Sequence, residues 1–436
     1  MFRGGYRFRR FEGVAEPRLS ELPVPERVSI PLDSVYPGPG GAIPADGEGI
    51  KAGNALLSGA DGVWTLPAPI GGTVELKGDG FARIRGDRSA EFEPVMGHTR
   101  EPWRLEREEL RELARKTGTA LLLGNPASFD AVTCIVVNAV HTSPVSRRWS
   151  PELYGDRELA GRGFAIVRAL FPNVDIILAA TRRHAGIVPE DTRGFVVTKI
   201  LSDTFPQEHP ALLARDAGHK GTSPLIVDYT DIVQLAETLT RGRPLIDRIV
   251  CIGGPGVSRP GWYRVRIGTP AGEILRQTAK DQSFGPWRAV AGNPLSGRAI
   301  EADEALGFRE LELSVVSDRA QRELLSFLAP GFAADSYARA TVSSVLPLIP
   351  RKLETAVHGG ERPCVQCNFC DEVCPQGLYP FLIWKFSSIG KPEDAARLRP
   401  EKCIDCGLCD YVCPSKIPVL DGVRKAREAL SKKDGA

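Results

Sequence analysis

The sequence lacks an apolar run long enough to cross a membrane, since none approaches the roughly 18 residues that a transmembrane helix needs. It also lacks an excess of one charge, because 56 Lys and Arg stand against 54 Asp and Glu, a formal net charge of +2. A nucleic-acid partner is therefore not expected. The basic start at residues 1–10 has no apolar core behind it, and we expect no secretory signal. Any membrane role is expected to be peripheral.

Cysteine is almost missing from most of the chain. Of ten cysteines, only Cys134 and Cys251 lie outside a short C-terminal stretch. Both sit in apolar β-like runs, so we predict that they are buried free thiols. Disulfides need an oxidising compartment. Solitary thiols of this kind indicate a reducing interior, and we expect a cytoplasmic protein.

The other eight cysteines form two runs of one pattern, C-x2-C-x2-C-x3-C-P, at residues 364–375 and 403–414. This is the bacterial ferredoxin pattern for a [4Fe–4S] cluster. The two-residue gaps let three thiolates converge on one cluster, while the fourth cysteine, followed by Pro, points towards the other cluster. A structural zinc site needs neither a third cysteine nor the Pro, and disulfides within such short runs would be strained.

The spacing predicts two [4Fe–4S] clusters with ligands that cross between the runs. Cluster 1 is predicted to use Cys364, Cys367, Cys370 and Cys413. Cluster 2 is predicted to use Cys403, Cys406, Cys409 and Cys374. We predict no catalytic residue and no cofactor-binding residue beyond these ligands.

Residues 1–95 are predicted to form an arm and a barrel-sandwich hybrid domain. In the arm, Tyr6, Phe8 and Phe11 alternate with arginines. Docking on a partner or an anionic membrane, and an arm with one solvated basic face, both remain open. Alternating runs at 28–32, 63–66 and 72–76 predict strands. The Gly-rich segments around Lys51 resemble the hammerhead of lipoyl- and biotinyl-type domains, but Lys51 is not at the tip that carries the group.

Residues 96–245 are predicted to form a Rossmann-like α/β domain. Helical patterns at 104–117 and 157–170 alternate with apolar runs that we predict to be strands, which argues for a parallel sheet. These runs are 120–123, 133–137, 174–178 and 194–198. The dinucleotide fingerprint is missing, because Gly161-Arg-Gly163 has only two glycines and lies inside a helical stretch. A nicotinamide site of that type is not expected.

Histidines are scattered singly through the chain. We predict that His141, His184, His209 and His219 are surface or capped residues rather than ligands, because none has a second ligand type at metal spacing. His209 and His219 flank a loop and are weak candidates for lining a pocket.

Residues 246–317 are predicted to form a β-grasp module, since 248–269 resembles the soluble-ligand-binding type. We favour a spacer over a ligand-binding module. Thr269 and Pro270 are predicted to be the N-cap and first residue of a helix. Residues 318–436 are predicted to form an α-helical ferredoxin-like dicluster domain. Its predicted helices lie at 319–328, 338–348, 378–386, 394–398 and 420–430.

These pieces, in this order, resemble peripheral subunits of ion-translocating oxidoreductases. Residues 2–5, 21–32 and the cysteine region resemble the C subunit of Rnf complexes. Segments in the middle resemble the A subunit of sodium-translocating NADH:quinone reductases: 135–139, 228–232, 254–257 and 293–297. The Gly-rich loops and acidic residues that Rnf subunits use for flavin and NADH have no counterpart here, and the quinone reductase subunit normally lacks the cysteine runs.

The resemblance implies a multidomain chain of α/β and β modules on the cytoplasmic face of the inner membrane. Its implied partners are integral-membrane subunits and a soluble donor or acceptor, namely ferredoxin, a flavoprotein or NADH. We expect an electron-transfer subunit that relays single electrons through two clusters. The alternatives are an entry subunit that binds FMN and oxidises NADH itself, for which no motif is present, and an assembly scaffold with structural clusters.

Overall fold

The computed structural model describes most of the chain: residues 4–8, 11–32, 35, 41–42, 44–59, 62, 64–86, 88–95, 98–124, 126–154, 157–188, 192–218, 223–280, 287–317 and 361–434. The predicted helices at 319–328 and 338–348 lie outside these residues, as does His219. In the described part of the chain, no helix combines the length and the apolar character that a membrane crossing requires.

The N-terminal region consists of short strands, most of which lie in small antiparallel sheets. Its strands are β1 (Leu19–Glu21), β2 (Arg27–Pro31), β3 (Gly41–Ala42), β4 (Gly49–Ile50), β5 (Ala55–Ser58), β6 (Thr65–Pro67), β7 (Gly72–Glu75) and β8 (Phe81–Arg85). One sheet has the order β2-β8-β7-β4 and another the order β3-β5-β6. The three strands predicted here are confirmed to within two residues. The name barrel-sandwich hybrid remains a prediction.

The second region is an α/β layer around a parallel sheet, as predicted. Its elements are α1 (Arg107–Thr117), β9 (Cys134–Ala139), α2 (Arg157–Leu170), β10 (Asp175–Thr181), β11 (Val196–Leu201), α3 (Pro210–Asp216), β12 (Leu225–Asp228) and α4 (Tyr229–Arg241). The strand order is β11-β10-β9-β12, and every pair is parallel. All residues of β9 are buried, which is typical of a central parallel strand covered on both faces.

One strand prediction in this region is wrong. Residues 120–123 lie in a 3₁₀ helix, Thr119–Leu123. Leu121, Leu122 and Leu123 are at most 1% exposed. A short, fully buried apolar run has no periodicity that separates strand from helix. Gly118, with φ of 80°, ends α1 and starts the 3₁₀ turn directly, which leaves no loop for a change to extended chain.

The third region is built around a mixed sheet. Its elements are β13 (Asp247–Gly253), β14 (Gly261–Arg266), α5 (Ala271–Thr278), β15 (Trp287–Ala291), β16 (Arg298–Ala299) and β17 (Glu312–Ser317). With β1, the strands follow the order β1-β14-β13-β17-β15-β16. The predicted start of α5 is one residue early, because Pro270 has the extended N-cap conformation (ψ 140°) and Ala271 begins the helix. The β-grasp name remains a prediction.

The C-terminal region is helical and holds the two cysteine runs. Its helices are α6 (Phe369–Val373), α7 (Pro380–Ser388), α8 (Pro392–Ala396), α9 (Leu408–Tyr411) and α10 (Val419–Asp434). The predicted helices at 378–386, 394–398 and 420–430 correspond to α7, α8 and α10. Outside these runs, Cys134 and Cys251 form no disulfide and are 0% exposed, which confirms the prediction of buried thiols.

Candidate metal centre

Two cavities divide the cysteines of the C-terminal region into two sets. One, with an empty volume of about 360 Å³, is lined by Cys364, Cys367, Cys370 and Cys413. The other, of about 400 Å³, is lined by Cys374, Cys403, Cys406 and Cys409, and Cys370 reaches it as well. Each cavity therefore joins three thiols of one run to the last thiol of the other run. This grouping has the crossed pattern expected from the spacing, and the assignment of individual ligands stays a prediction.

The two cysteine loops repeat one backbone conformation. The numbers of matching residues differ by 39 (403 less 364). Left-handed φ angles recur at matching positions, with 54° at Gln366 and 52° at Asp405, and with 61° at Asn368 and 75° at Gly407. This conformation is uncommon outside glycine but tolerated by Asn and Asp. The repeated turns let successive cysteines of each run face the same cavity.

A carboxylate orients the helix that follows each loop. Asp371 accepts a hydrogen bond from the Phe381 amide at 3.4 Å, and Asp410 accepts one from the Leu420 amide at 2.8 Å. Both acids directly follow the third cysteine of their run. The bonds hold the first turns of α7 and α10 against the cysteine loops. These acids were not predicted from the sequence, and the offset of 39 residues, which aligns them, is the signal that would have found them.

Main-chain amides approach the sulfur atoms. The Gln366 amide donates to Sγ of Cys364 at 3.3 Å. Burial raises the pKa of Cys374, while amides of the following turn lower it. Amides pointing at sulfur stabilise a thiolate and tune the reduction potential of a bound cluster. The loops therefore supply hydrogen bonds as well as ligands.

Burial dominates the acid–base chemistry of these thiols. It raises the pKa of Cys370 and of Cys406 to about 12, and that of Cys403 to about 11. Without iron these side chains are protonated at neutral pH. Since thiolates are the form that binds iron, loading the site releases protons.

The donor set fits an iron–sulfur cluster. The cavities are lined by thiols and mainly apolar side chains, and such surroundings exclude water from a cluster. The thiols surround open space. Among the described residues, no three His, Cys, Asp or Glu side chains lie closely enough to hold a single metal ion. A [4Fe–4S] cluster bound here would supply one-electron chemistry.

An aromatic arm from the N-terminus packs beside the second cysteine loop. Tyr6 exchanges two main-chain hydrogen bonds of 2.9 Å with Phe205 of the α/β region. Phe8 is 3% exposed, and its ring centroid lies 5.2 Å from that of Tyr411. Arg7 forms an exposed ion pair. The aromatic rings of the arm therefore dock within the chain, and both interpretations of its basic side chains stay predictions.

Aromatic side chains fill the carboxyl ends of the parallel strands, the edge where open α/β sheets bind ligands. Trp149 is 1% exposed. Its ring stacks on His141, which follows β9, at 4.6 Å. It also meets His184, which follows β10, at 5.1 Å and Tyr229, which follows β12, at 5.3 Å. Trp149 thus occupies the space beside three strand ends.

The histidines have structural roles in the described chain. His209 caps α3 by accepting a hydrogen bond from the Ala211 amide at 3.2 Å. His184 is 8% exposed, and its Nδ1 lies 3.4 Å from the hydroxyl of Thr181, so it is not a surface residue. It packs against the aromatic cluster around Trp149.

A 4Fe-4S dicluster domain model matches residues 363–417. The match covers both cysteine runs. The domain therefore belongs to a known class of iron–sulfur modules, and the 4Fe-4S cofactor type predicted from the spacing is supported.

Much of the chain is similar to the A subunit of Na⁺-translocating NADH-quinone reductases. The protein from Glaesserella parasuis is 27% identical over 282 residues, 62% of this chain and 60% of that protein. The one from Actinobacillus pleuropneumoniae serotype 5b is 31% identical over 39% of this chain and 38% of its own length. The one from Mannheimia succiniciproducens is 26% identical over 81% of each.

Among solved structures, two of an NAD⁺-reducing [NiFe]-hydrogenase are similar. The H₂-reduced state gives a TM-score of 0.42 at 13% identity, over 76% of this chain and 63% of that chain. The air-oxidized state gives 0.34 at 16% identity, over 44% of this chain and 43% of that chain. These values are too low to establish a shared fold. The sequence relatives and the dicluster match confirm the predicted resemblance: the chain is similar to the A subunit of Na⁺-translocating NADH-quinone reductases and carries a ferredoxin-type 4Fe-4S domain.

Proposed function

We propose that this chain is the electron-transfer subunit of a membrane-associated, ion-translocating oxidoreductase. It relays single electrons through two [4Fe–4S] clusters, between a soluble donor or flavin-bearing partner and integral-membrane subunits. The ion transport follows from the names of its relatives, whereas the membrane partners and a place on the cytoplasmic face of the inner membrane follow from the family resemblance. The chain spans only 60% of the first of these and 38% of the second, so these elements belong to the proposal.

One observation carries the relay: two adjacent cavities, each lined by three thiols of one run and the last thiol of the other. Cys370 lines both cavities. Two clusters held there would be neighbours, as in two-cluster ferredoxins. Neighbouring one-electron centres suit a relay, because electron transfer weakens steeply with distance.

The α/β region supports a relay rather than direct oxidation of NADH. Trp149 and its aromatic neighbours fill the strand ends where a nucleotide would lie. The segment after β9, residues 140–146, contains no glycine, whereas nucleotide-binding turns need glycine for close approach to phosphate. We therefore place the hydride step, if the complex performs one, on another subunit.

The test is anaerobic purification with quantitation of iron, sulfide and flavin, followed by titration with NADH under EPR. We expect about eight irons per chain, no flavin, and no reduction of the clusters by NADH. Bound flavin with cluster signals on adding NADH would make this chain the entry subunit instead. Electron flow through the complex with a cluster-free variant would favour a scaffold.

A further inference from the structure

The two cysteine loops differ in exposure although their backbones match. In the first loop, Val365, Gln366 and Asn368 are all exposed. At the matching positions of the second loop, Ile404 and Asp405 are half-buried and Gly407 is buried. Repeated local structure does not explain this difference. It comes from what the rest of the chain places over each loop.

Three separate parts of the chain cover the second loop and its surroundings. The carbonyl of Leu295 lies so close to Gly407 that a Cβ atom there would be 2.3 Å from it. The ring of Phe8, in the N-terminal arm, packs on Tyr411. Arg215 of α3 donates a hydrogen bond of 2.9 Å to the carbonyl of Pro375, the residue after Cys374. The cavity predicted to hold cluster 2 therefore faces the body of the protein.

The first loop carries an apolar side chain at its tip. Val365 is 67% exposed, the highest value among the exposed large apolar side chains of the described residues. It lies between Cys364 and Cys367 and lines the cavity of cluster 1. A carrier protein must approach a cluster closely because tunnelling weakens with distance. The thin covering at Val365 offers that approach, and an apolar centre suits a protein interface.

Basic side chains surround this tip. Arg362 is exposed just before the loop. Its amide donates a hydrogen bond of 2.9 Å to the carbonyl of Ser415, which brings Arg362 close to the next residue, Lys416. Lys385 lies over the ring of Phe381 at 5.9 Å, and Phe381 lines the same cavity. The acids near these cations are Glu361, which precedes Arg362 in the chain, and the half-buried Asp371, whose carboxylate accepts a hydrogen bond from the Phe381 amide. The balance of charge favours a partner with an acidic face.

We propose that the surface around Val365 and Arg362 is the docking site for an acidic one-electron carrier protein of the ferredoxin type. This inference rests on the proposed function and adds which cluster meets the carrier. One electron leaves the reduced carrier and enters this chain at the site formed by Cys364, Cys367, Cys370 and Cys413. The carrier is oxidised by one electron, the chain is reduced by one, and no proton or atom is transferred.

The test measures binding, independently of turnover. The anaerobically purified holoprotein is titrated by calorimetry with an acidic plant-type ferredoxin at low and at raised salt. Arg362→Glu is expected to weaken binding about tenfold, and Val365→Ser also weakens it. The matched control is Lys402→Glu, an exposed reversal of charge just before the second loop, which should bind as the wild type does. Raised salt weakens wild-type binding.

Three results would overturn the docking site. They are failure of the wild type to bind the ferredoxin, unchanged binding by both Arg362→Glu and Val365→Ser, and a loss with Lys402→Glu as large as that with Arg362→Glu. Iron content, measured on every variant, separates these results from a failure of the proposed function, which would appear as missing clusters. Cytochrome c, a basic carrier, serves as the opposite case, because Arg362→Glu should not weaken its binding.

Discussion

Gly407 lies directly against the carbonyl oxygen of Leu295, and a Cβ atom at position 407 would be 2.3 Å from that oxygen. The contact joins the second cysteine loop to the loop that follows β15. Gly407 also has a φ of 75°, in the region that L-residues adopt only at a cost. Glycine is therefore required here twice, for conformation and for close approach.

Gly407→Ala should destabilise the protein and loosen cluster 2. The expected cost beyond backbone strain is about 1–3 kcal/mol, since the new methyl group must push the two loops apart. Gly390→Ala is the matched control, because Gly390 has a φ of 69° and a Cβ atom added there would have nothing within 4 Å. Thermal midpoints and rates of iron loss to a chelator, measured anaerobically, make the comparison. Equal effects of the two substitutions would contradict the close contact.

Cys374→Ser should damage cluster 2 and leave cluster 1 largely intact. Cys374 belongs to the first run but lines the cavity of the second. Cys413→Ser should do the reverse. EPR spectra of the reduced proteins, together with iron content, distinguish the two clusters. The control is Cys251→Ala, which should keep all the iron because Cys251 lies in β13, far from both cysteine runs in the sequence. Loss of cluster 1 alone from Cys374→Ser would refute the crossed assignment.

The cysteine region could be predicted from sequence because its information is local. Spacing of two and three residues decides which thiols face one cavity, and Pro375 and Pro414 mark where each loop ends. The left-handed turns at Gln366 and Asn368 were not foreseen, since neither residue signals them as a glycine does. Comparison of the two runs, where Gly407 matches Asn368, would have indicated one of them.

The surroundings of the clusters could not be predicted in the same way. Phe8 and Tyr411 are about 400 residues apart in the chain, and no periodicity links such positions. Trp149 likewise meets His141, His184 and Tyr229 only because three parallel strands end at one edge. The sequence shows that the glycine fingerprint is missing, but only the fold shows that Trp149 and its aromatic neighbours fill this edge.

Arg248→Met should strongly destabilise the protein where β13 packs against α4. Arg248 pairs with Asp231 at 2.6 Å, and both side chains are almost fully buried, at 6% and 3% exposure. Removing the cation leaves a buried carboxylate uncompensated, which costs about 3–5 kcal/mol. The control is Arg397→Met, since Arg397 pairs with Asp394 at 3.7 Å and is 83% exposed, and such pairs contribute about 0–1 kcal/mol. Similar thermal midpoints for the two variants would contradict this prediction.

Glu208 should make the stability of the protein fall as the pH rises. Burial raises its pKa to about 7, against a hydrogen bond from Thr142 that lowers it, and Glu312 raises it further. Between about pH 4.5 and pH 7 the folded protein keeps a proton that the unfolded chain has released, so stability declines across this window and levels off above it. Glu208→Gln has no such proton. Its thermal midpoint should therefore rise relative to that of the wild type as the pH is raised from 5 to 8. Thr142→Val removes the opposing hydrogen bond and should extend the decline above pH 7. Parallel curves for the wild type and Glu208→Gln would show that Glu208 is ionised in the folded protein throughout this range.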